Sequence, residues 1–108
     1  MEHNVSDLTF RRLRYVNVIR NLQSFPTCKN WTASDWVCAL TGELGEAANL
    51  IKKHHRDGIL DREALERELA DTLIYLDLLA AHYGISLDQA VKQKFNEVSD
   101  RIKSDIKL

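Results

Sequence analysis

Four acidic residues stand in two matched pairs in this 108-residue sequence, Glu43-x-x-Glu46 and Glu68-x-x-Asp71. On a helix, residues three apart are neighbours, with Cβ atoms about 5–6 Å apart, so each pair can aim two carboxylates at one point. The strongest turn signal between the pairs is Asp57-Gly58, and both cross-pairings centre on position 57. A helical hairpin folding back there sets Glu43 roughly level with Asp71 and Glu46 with Glu68. Four carboxylates at one level repel one another unless a cation lies among them. An oxygen-only ligand set suits a hard divalent cation, and Mg2+ with a phosphate-bearing substrate fits it.

The faces of the two helices argue the same way. At about 100° per residue, the second helix places Val37, Leu40, Leu44, Ala47 and Ile51 on one core stripe. Glu43 falls beside that stripe, flanked by Trp36, Ala39 and Leu50, with Glu46 just beyond. On the third helix Glu68 and Asp71 project among Ala64, Tyr75, Leu78, Leu79 and His82, while Glu63, Glu66 and Asp77 point to solvent. Charge on an apolar arc is costly unless it is paired or metal-bound. A single such Glu ordinarily pairs with Arg or Lys at the edge of a core; two matched pairs across one turn argue for a shared ligand.

The elements that position these acids can be read from caps and periodicity. Residues 1–5 read as a loose start, and Ser6 can cap a first helix to about Leu22, with Leu8, Tyr15, Val18, Ile19 and Leu22 facing inward. Arg11, Arg12, Arg14 and Arg20 read as its solvated face, with phosphate steering as the alternative, and Phe25-Pro26 ends it. Thr32 caps the second helix, with Asp35 as a box-like acid and Trp31 and Trp36 at the two ends of a hydrophobic staple. That helix runs to about His55, where Lys52, Lys53, His54, His55 and Arg56 complement its dipole. Lys53, seven residues after Glu46 and on the same side, can also reach a phosphate.

The third helix begins after Asp61 and stops at Gly84. It is apolar almost all round, so one side is expected to meet the protomer's own helices and the other a second copy, in an isologous homodimer. Ser86-x-x-Gln89 reads as a capping box for a fourth helix to about Ile102, with Leu87, Val91, Phe95, Val98 and Ile102 inward.

The bounds are those of one all-α domain over residues 1–108. Apolar residues make up 44% and charged residues 29%, with a net charge of −1, which leaves no electrostatic footprint for nucleic acid. No apolar run reaches the length of a membrane span, and MEHNVSDL lacks a signal-peptide core. Cys28 and Cys38 have no metal-ligand spacing and fit free thiols, so a cytoplasmic location is expected.

The runs WVCALTGELGEAANLIKK and LERELADTLIYLDLLAAHYGISLDQAVKQKFNEVSDRI closely resemble the MazG-like all-α nucleoside triphosphate pyrophosphohydrolases. The signature of that family is E-x-x-E, a variable spacer and E-x-x-D, here Glu43, Glu46, the spacer 47–67, Glu68 and Asp71. The likeness covers about residues 31–102. It implies a four-helix bundle-type protomer and cleavage between the α and β phosphates to a nucleoside monophosphate and pyrophosphate; whether the assembly expected from the third helix is a homodimer or a dimer of dimers stays open. The likeness implies Mg2+, with Mn2+ able to substitute, held by Glu43, Glu46, Glu68 and Asp71. Glu46, at the polar edge, is the expected general base. Lys94 and Asn96 in the K-F-N segment are expected near the triphosphate through the resemblance alone. Trp31, with Trp36 behind it, and Tyr75 are candidate nucleobase contacts. A phosphoribosyl-ATP pyrophosphatase and a non-catalytic helical interaction module remain as alternatives, with nucleotide-pool house-cleaning favoured. A di-iron bundle is excluded, because no Glu here has His three residues later.

Overall fold

Capping chemistry sets where the helices begin and end. The computed structural model describes residues 7–108, so Ser6 and the expected loose start lie outside the described residues. Four helices follow: α1 (Phe10–Ser24), α2 (Ala33–Asp57), α3 (Arg62–His82) and α4 (Leu87–Arg101), with a short 3-10 turn at Pro26–Cys28. Thr9 caps α1, its hydroxyl accepting the Arg12 N–H. Thr32 and Asp35 form a complete capping box on α2, and the staple beside it sets the Trp31 and Trp36 rings 4.5 Å apart. Asp61 caps α3 through the Ala64 N–H.

Two glycines make the stops. Gly58, at φ 77°, donates to the His54 carbonyl and reverses the chain into α3. Gly84, at φ 66°, donates to Ala81 while Ile85 donates to Ala80, the bond pair of a Schellman motif. Both need the left-handed region that a Cβ disfavours.

Packing departs from the sequence-based stripes in an instructive way. α2 turns Trp36, Leu40, Glu43, Ala47 and Leu50 toward the protomer; Trp36 and Ala47 are buried and the other three half-buried. The expected stripe is largely outside, since Val37, Leu44 and Ile51, seven residues apart, are all about half exposed. The arc that carries Glu43 is therefore the arc facing α3.

α1 docks on α3 through polar groups. Asp77, expected at the surface, is fully buried: its carboxylate accepts from Arg14 Nε at 2.9 Å and from Asn17 Nδ2 at 3.1 Å. Asn17 Nδ2 also donates to the Ile74 carbonyl. Arg14 thus belongs to an ion pair rather than to the solvated face. The expected inward residues Leu8, Tyr15 and Leu22 are exposed instead. Asp77 shares its face of α3 with Ile74, and α1 lies across that face, so an acid that looks outward on its own helix is covered by its neighbour.

α4 departs further. The expected box at its start does not close: the Ser86 hydroxyl donates to the Asp88 carboxylate, which also accepts the Gln89 N–H. That hydroxyl holds the Asp88 carboxyl below its ordinary range. Within the protomer α4 packs on α1, and Val91, Phe95 and Ile102, expected inward, are exposed. The accessible surface is 8333 Å², against about 6,100 Å² for a compact monomer of this size. The radius of gyration is 16.7 Å, against about 13 Å. A single copy leaves unburied the apolar faces that its sequence provides.

Candidate metal centre

The α2–α3 hairpin brings Glu43, Glu68 and Asp71 together. One carboxylate oxygen from each lies within 4.8 Å of the others. Glu43 and Glu68 are half-buried and Asp71 is exposed, so the cluster sits at the mouth of the helix–helix seam. Glu46, one turn on, stays exposed at the rim; it is near enough for its charge to act on Glu43.

The electrostatics carry the mark of crowding. The Glu43 carboxyl is pushed up to about 7, first by a hydrogen bond shared with Glu68, then by burial and by the charges of Glu68, Asp71 and Glu46. Two carboxylates this close hold a proton between them because both cannot ionise without cost. A divalent cation would take over the role of that proton. The donor set fits one: all three ligand groups are carboxylates, the chemistry of a hard ion. Glu43, Glu68 and Asp71 would hold such an ion, with Glu46 beside it.

A pocket of about 190 Å³ opens next to the acids, with Asp71 in its wall. Asn17 and Arg20 of α1, Trp36 of α2 and Tyr75 of α3 complete its working surfaces. The Trp36 and Tyr75 rings lie 6.2 Å apart. Burial, followed by the charges of Glu43 and Asp71, raises the Tyr75 phenol above its ordinary range, so its hydroxyl remains a donor. Arg20 packs its guanidinium over the Phe25 ring at 5.9 Å from the centroid.

Sequence spacing missed Asn17 and Arg20. Their positions three apart on α1 meant little until α1 was known to cross α3.

The other expected substrate contacts are dispersed. Trp31 packs on Trp36 and lines an adjoining cavity, so Trp36 rather than Trp31 lines the pocket beside Asp71. Lys53 is exposed on the last turns of α2, where its charge acts on Asp57. Lys94 is paired with Glu97 at 3.0 Å. Asn96 clasps the Leu108 backbone, accepting its N–H at 2.8 Å and donating to its carbonyl at 3.2 Å. Both lie on α4, whose main packing in the protomer is with α1.

An all-α hairpin carries a carboxylate cluster at its mouth, with an aromatic pocket alongside. The chain belongs to the MazG family: residues 32–104 match the MazG nucleotide pyrophosphohydrolase domain. It is similar to dCTP pyrophosphatase 1 of Mus musculus, 43% identical over 65 residues that cover 54% of this chain and 38% of that protein. It is also similar to the Gene 37 protein of Mycobacterium phage L5, 33% identical over 67 residues covering 57% of this chain and 59% of that protein. The chain thus spans less than two thirds of the length of the curated relatives it matches.

The raised Glu43 carboxyl makes stability depend on pH with a definite sign. Its folded-state pKa of about 7 lies above the ordinary 4.5, so the folded chain binds the extra proton between those values. Metal-free stability should therefore fall as pH rises from about 4.5 to about 7. Asp57 and Asp88 are shifted the other way, and their contributions are lost only below the ordinary carboxylate range. Urea unfolding of wild type and Glu43→Gln at pH 5 and pH 7.5 checks this. Wild type should lose more stability between the two pH values than the variant; equal losses would contradict the shared proton.

Proposed function

We propose that the chain is a Mg2+-dependent nucleoside triphosphate pyrophosphohydrolase, releasing a nucleoside monophosphate and pyrophosphate. The observation that carries this reading is the convergence of Glu43, Glu68 and Asp71 within 4.8 Å, beside a pocket that shares Asp71. A triphosphate bridging the two would lay its phosphates over the acids and its base in the pocket. The bound ion would supply charge neutralisation at the phosphate oxygens.

The protein's own residues do the rest. Glu43, Glu68 and Asp71 would hold the ion. Glu46, exposed at the rim, accepts the proton of the attacking water as its oxygen bonds to phosphorus. The phosphoanhydride bond breaks on the opposite side, and pyrophosphate leaves with the electron pair. Trp36 and Tyr75 stack on the base, and Lys53 stands at the solvent end of α2 as a candidate phosphate contact. Membership of the MazG family and likeness to a protein named dCTP pyrophosphatase 1 support this chemistry.

Pyrophosphate release with Mg2+ across a panel of nucleoside and deoxynucleoside triphosphates tests the reading. Glu43→Gln, Glu68→Gln and Asp71→Asn should each lower kcat/KM at least about 100-fold with helix content retained. Glu46→Gln should lower kcat by roughly 10²–10⁴, the span of general-base catalysis, with KM little changed. Near-wild-type hydrolysis by any two of the four would sink the assignment.

The working unit in this reading is an isologous dimer. Val37, Leu44 and Ile51 on α2, with Leu69, Leu73 and Leu76 on α3, leave a broad apolar face exposed on a single copy. Soluble monomers rarely tolerate so large a patch. Lys94 and Asn96 enter the site only by way of such assembly, since α4 of the same copy lies elsewhere. Sedimentation at micromolar concentration should show a dimer or a multiple of it, weakened by Leu44→Lys; a well-folded wild-type monomer would refute this part.

A further inference from the structure

We propose that Asn17 is a specificity-determining residue, reading the substrate's base as a hydrogen-bond acceptor whose orientation Asp77 fixes, and that it selects an amine-bearing pyrimidine. The proposal rests on the pyrophosphohydrolase reading for the identity of the ligand, and on the pocket itself for the selectivity.

Asn17 is 3% exposed and forms part of the pocket wall beside Asp71. Its amide nitrogen donates twice, to the Ile74 carbonyl and to Asp77 Oδ2, both at 3.1 Å. Neither partner offers a hydrogen in return: a carbonyl only accepts, and the Asp77 carboxylate is ion-paired through its other oxygen with Arg14 Nε at 2.9 Å. Turning the amide over would set its oxygen against two oxygens. The network therefore fixes which end of the amide is which.

With both N–H groups committed to α3, the Asn17 carbonyl oxygen is the end left for the pocket. Among the described residues none donates to it. That oxygen is not closed off from solvent, so a ligand that donates there takes the place of water, whereas one that cannot donate forfeits the hydrogen bond. A base edge carrying a keto oxygen cannot donate and would place oxygen against oxygen. A base edge carrying an exocyclic amine can.

Ring size and a neighbouring donor on α1 narrow the choice. The pocket holds about 190 Å³, not far above the roughly 150 Å³ cavity that accepts a single benzene ring. A six-membered ring matches a space of that size more closely than a purine bicycle does. Arg20, also in the wall, offers only donors and suits a ring carbonyl. An acceptor and a donor framing one aromatic slot match an amine and a carbonyl on one ring, the pattern of a 4-aminopyrimidin-2-one. Asp77 touches no ligand; it is a positioning residue that acts through Asn17.

Calorimetric binding of dCMP, dUMP, dAMP and the deoxynucleoside monophosphate of pyrimidin-2-one, which lacks the 4-amine, tests this without turnover. Wild type should bind dCMP at least tenfold more tightly than each of the others. Asn17→Ala should bring dCMP, dUMP and the pyrimidinone nucleotide within about threefold of one another. Asp77→Asn should collapse the dCMP-to-dUMP ratio in the same way, whereas a purely structural role would weaken all nucleotides alike. If either variant loses its helical circular dichroism, the wild-type comparison of dCMP with the pyrimidinone nucleotide decides alone. Equal binding of dUMP, dAMP or the pyrimidinone nucleotide by wild type, or a preserved ratio in folded Asn17→Ala, overturns the proposal. Pyrophosphate release assayed alongside separates the two readings. Selective dCMP binding without hydrolysis defeats the catalytic reading and leaves the pocket assignment standing; hydrolysis without selectivity defeats the pocket assignment alone.

Discussion

Repulsion among carboxylates held close by a helical hairpin is the constraint around which this structure is arranged. Nothing in helix propensity or core packing asks for Glu43 on the half-buried arc of α2, facing Glu68 and Asp71. The fold accepts that cost and holds the three oxygens within reach of one ion, and the proximity of Glu68 pushes the Glu43 carboxyl up to about 7. The rigidity needed to enforce the crowding comes from both ends of the hairpin. The Thr32–Asp35 box and the Trp31–Trp36 staple fix the entry of α2, while left-handed Gly58 and the Asp61 cap fix the reversal into α3. Without those stops the carboxylates could slide apart along the seam and relieve the strain themselves.

A second polar device serves a different purpose. The buried Arg14–Asp77–Asn17 network attaches α1 to α3 on the face next to the acids. A buried ion pair is a weak source of stability compared with an apolar contact of the same size, but it is demanding about geometry. Here it sets the rotation of α1, and that rotation delivers Asn17 and Arg20 to the pocket beside Asp71. The apolar residues of α1 then face outward with those of α2 and α4, available to a second copy.

The site was legible in the sequence to the extent that its geometry is local. Helical periodicity and a hairpin suffice to bring Glu43, Glu68 and Asp71 together, while Glu46, expected level with Glu68, stays at the rim; the caps at Thr32, Asp61 and Gly84 are short-range chemistry. The same reasoning misjudged Asp77 and Arg14, because burial there comes from a helix more than fifty residues away in the chain. It misassigned the inward stripes of α1, α2 and α4 for a related reason. Periodicity finds an apolar face but does not say whether that face meets the same chain or another copy. Val37, Leu44 and Ile51 are apolar at regular spacing and nevertheless exposed in one protomer. Asn17 and Arg20 carried no signal of their own, since their place in the pocket follows from how α1 crosses α3.

The central claim is that the crowded acids form one divalent-cation site per chain. Titrating the protein with Mn2+ and following free and bound ion by electron paramagnetic resonance measures that directly. Saturable binding of at least one Mn2+ per chain, displaced by Mg2+ and lost or greatly weakened in a folded Glu68→Gln variant, is the result expected. Absence of saturable binding, or binding unchanged in Glu68→Gln, would contradict it.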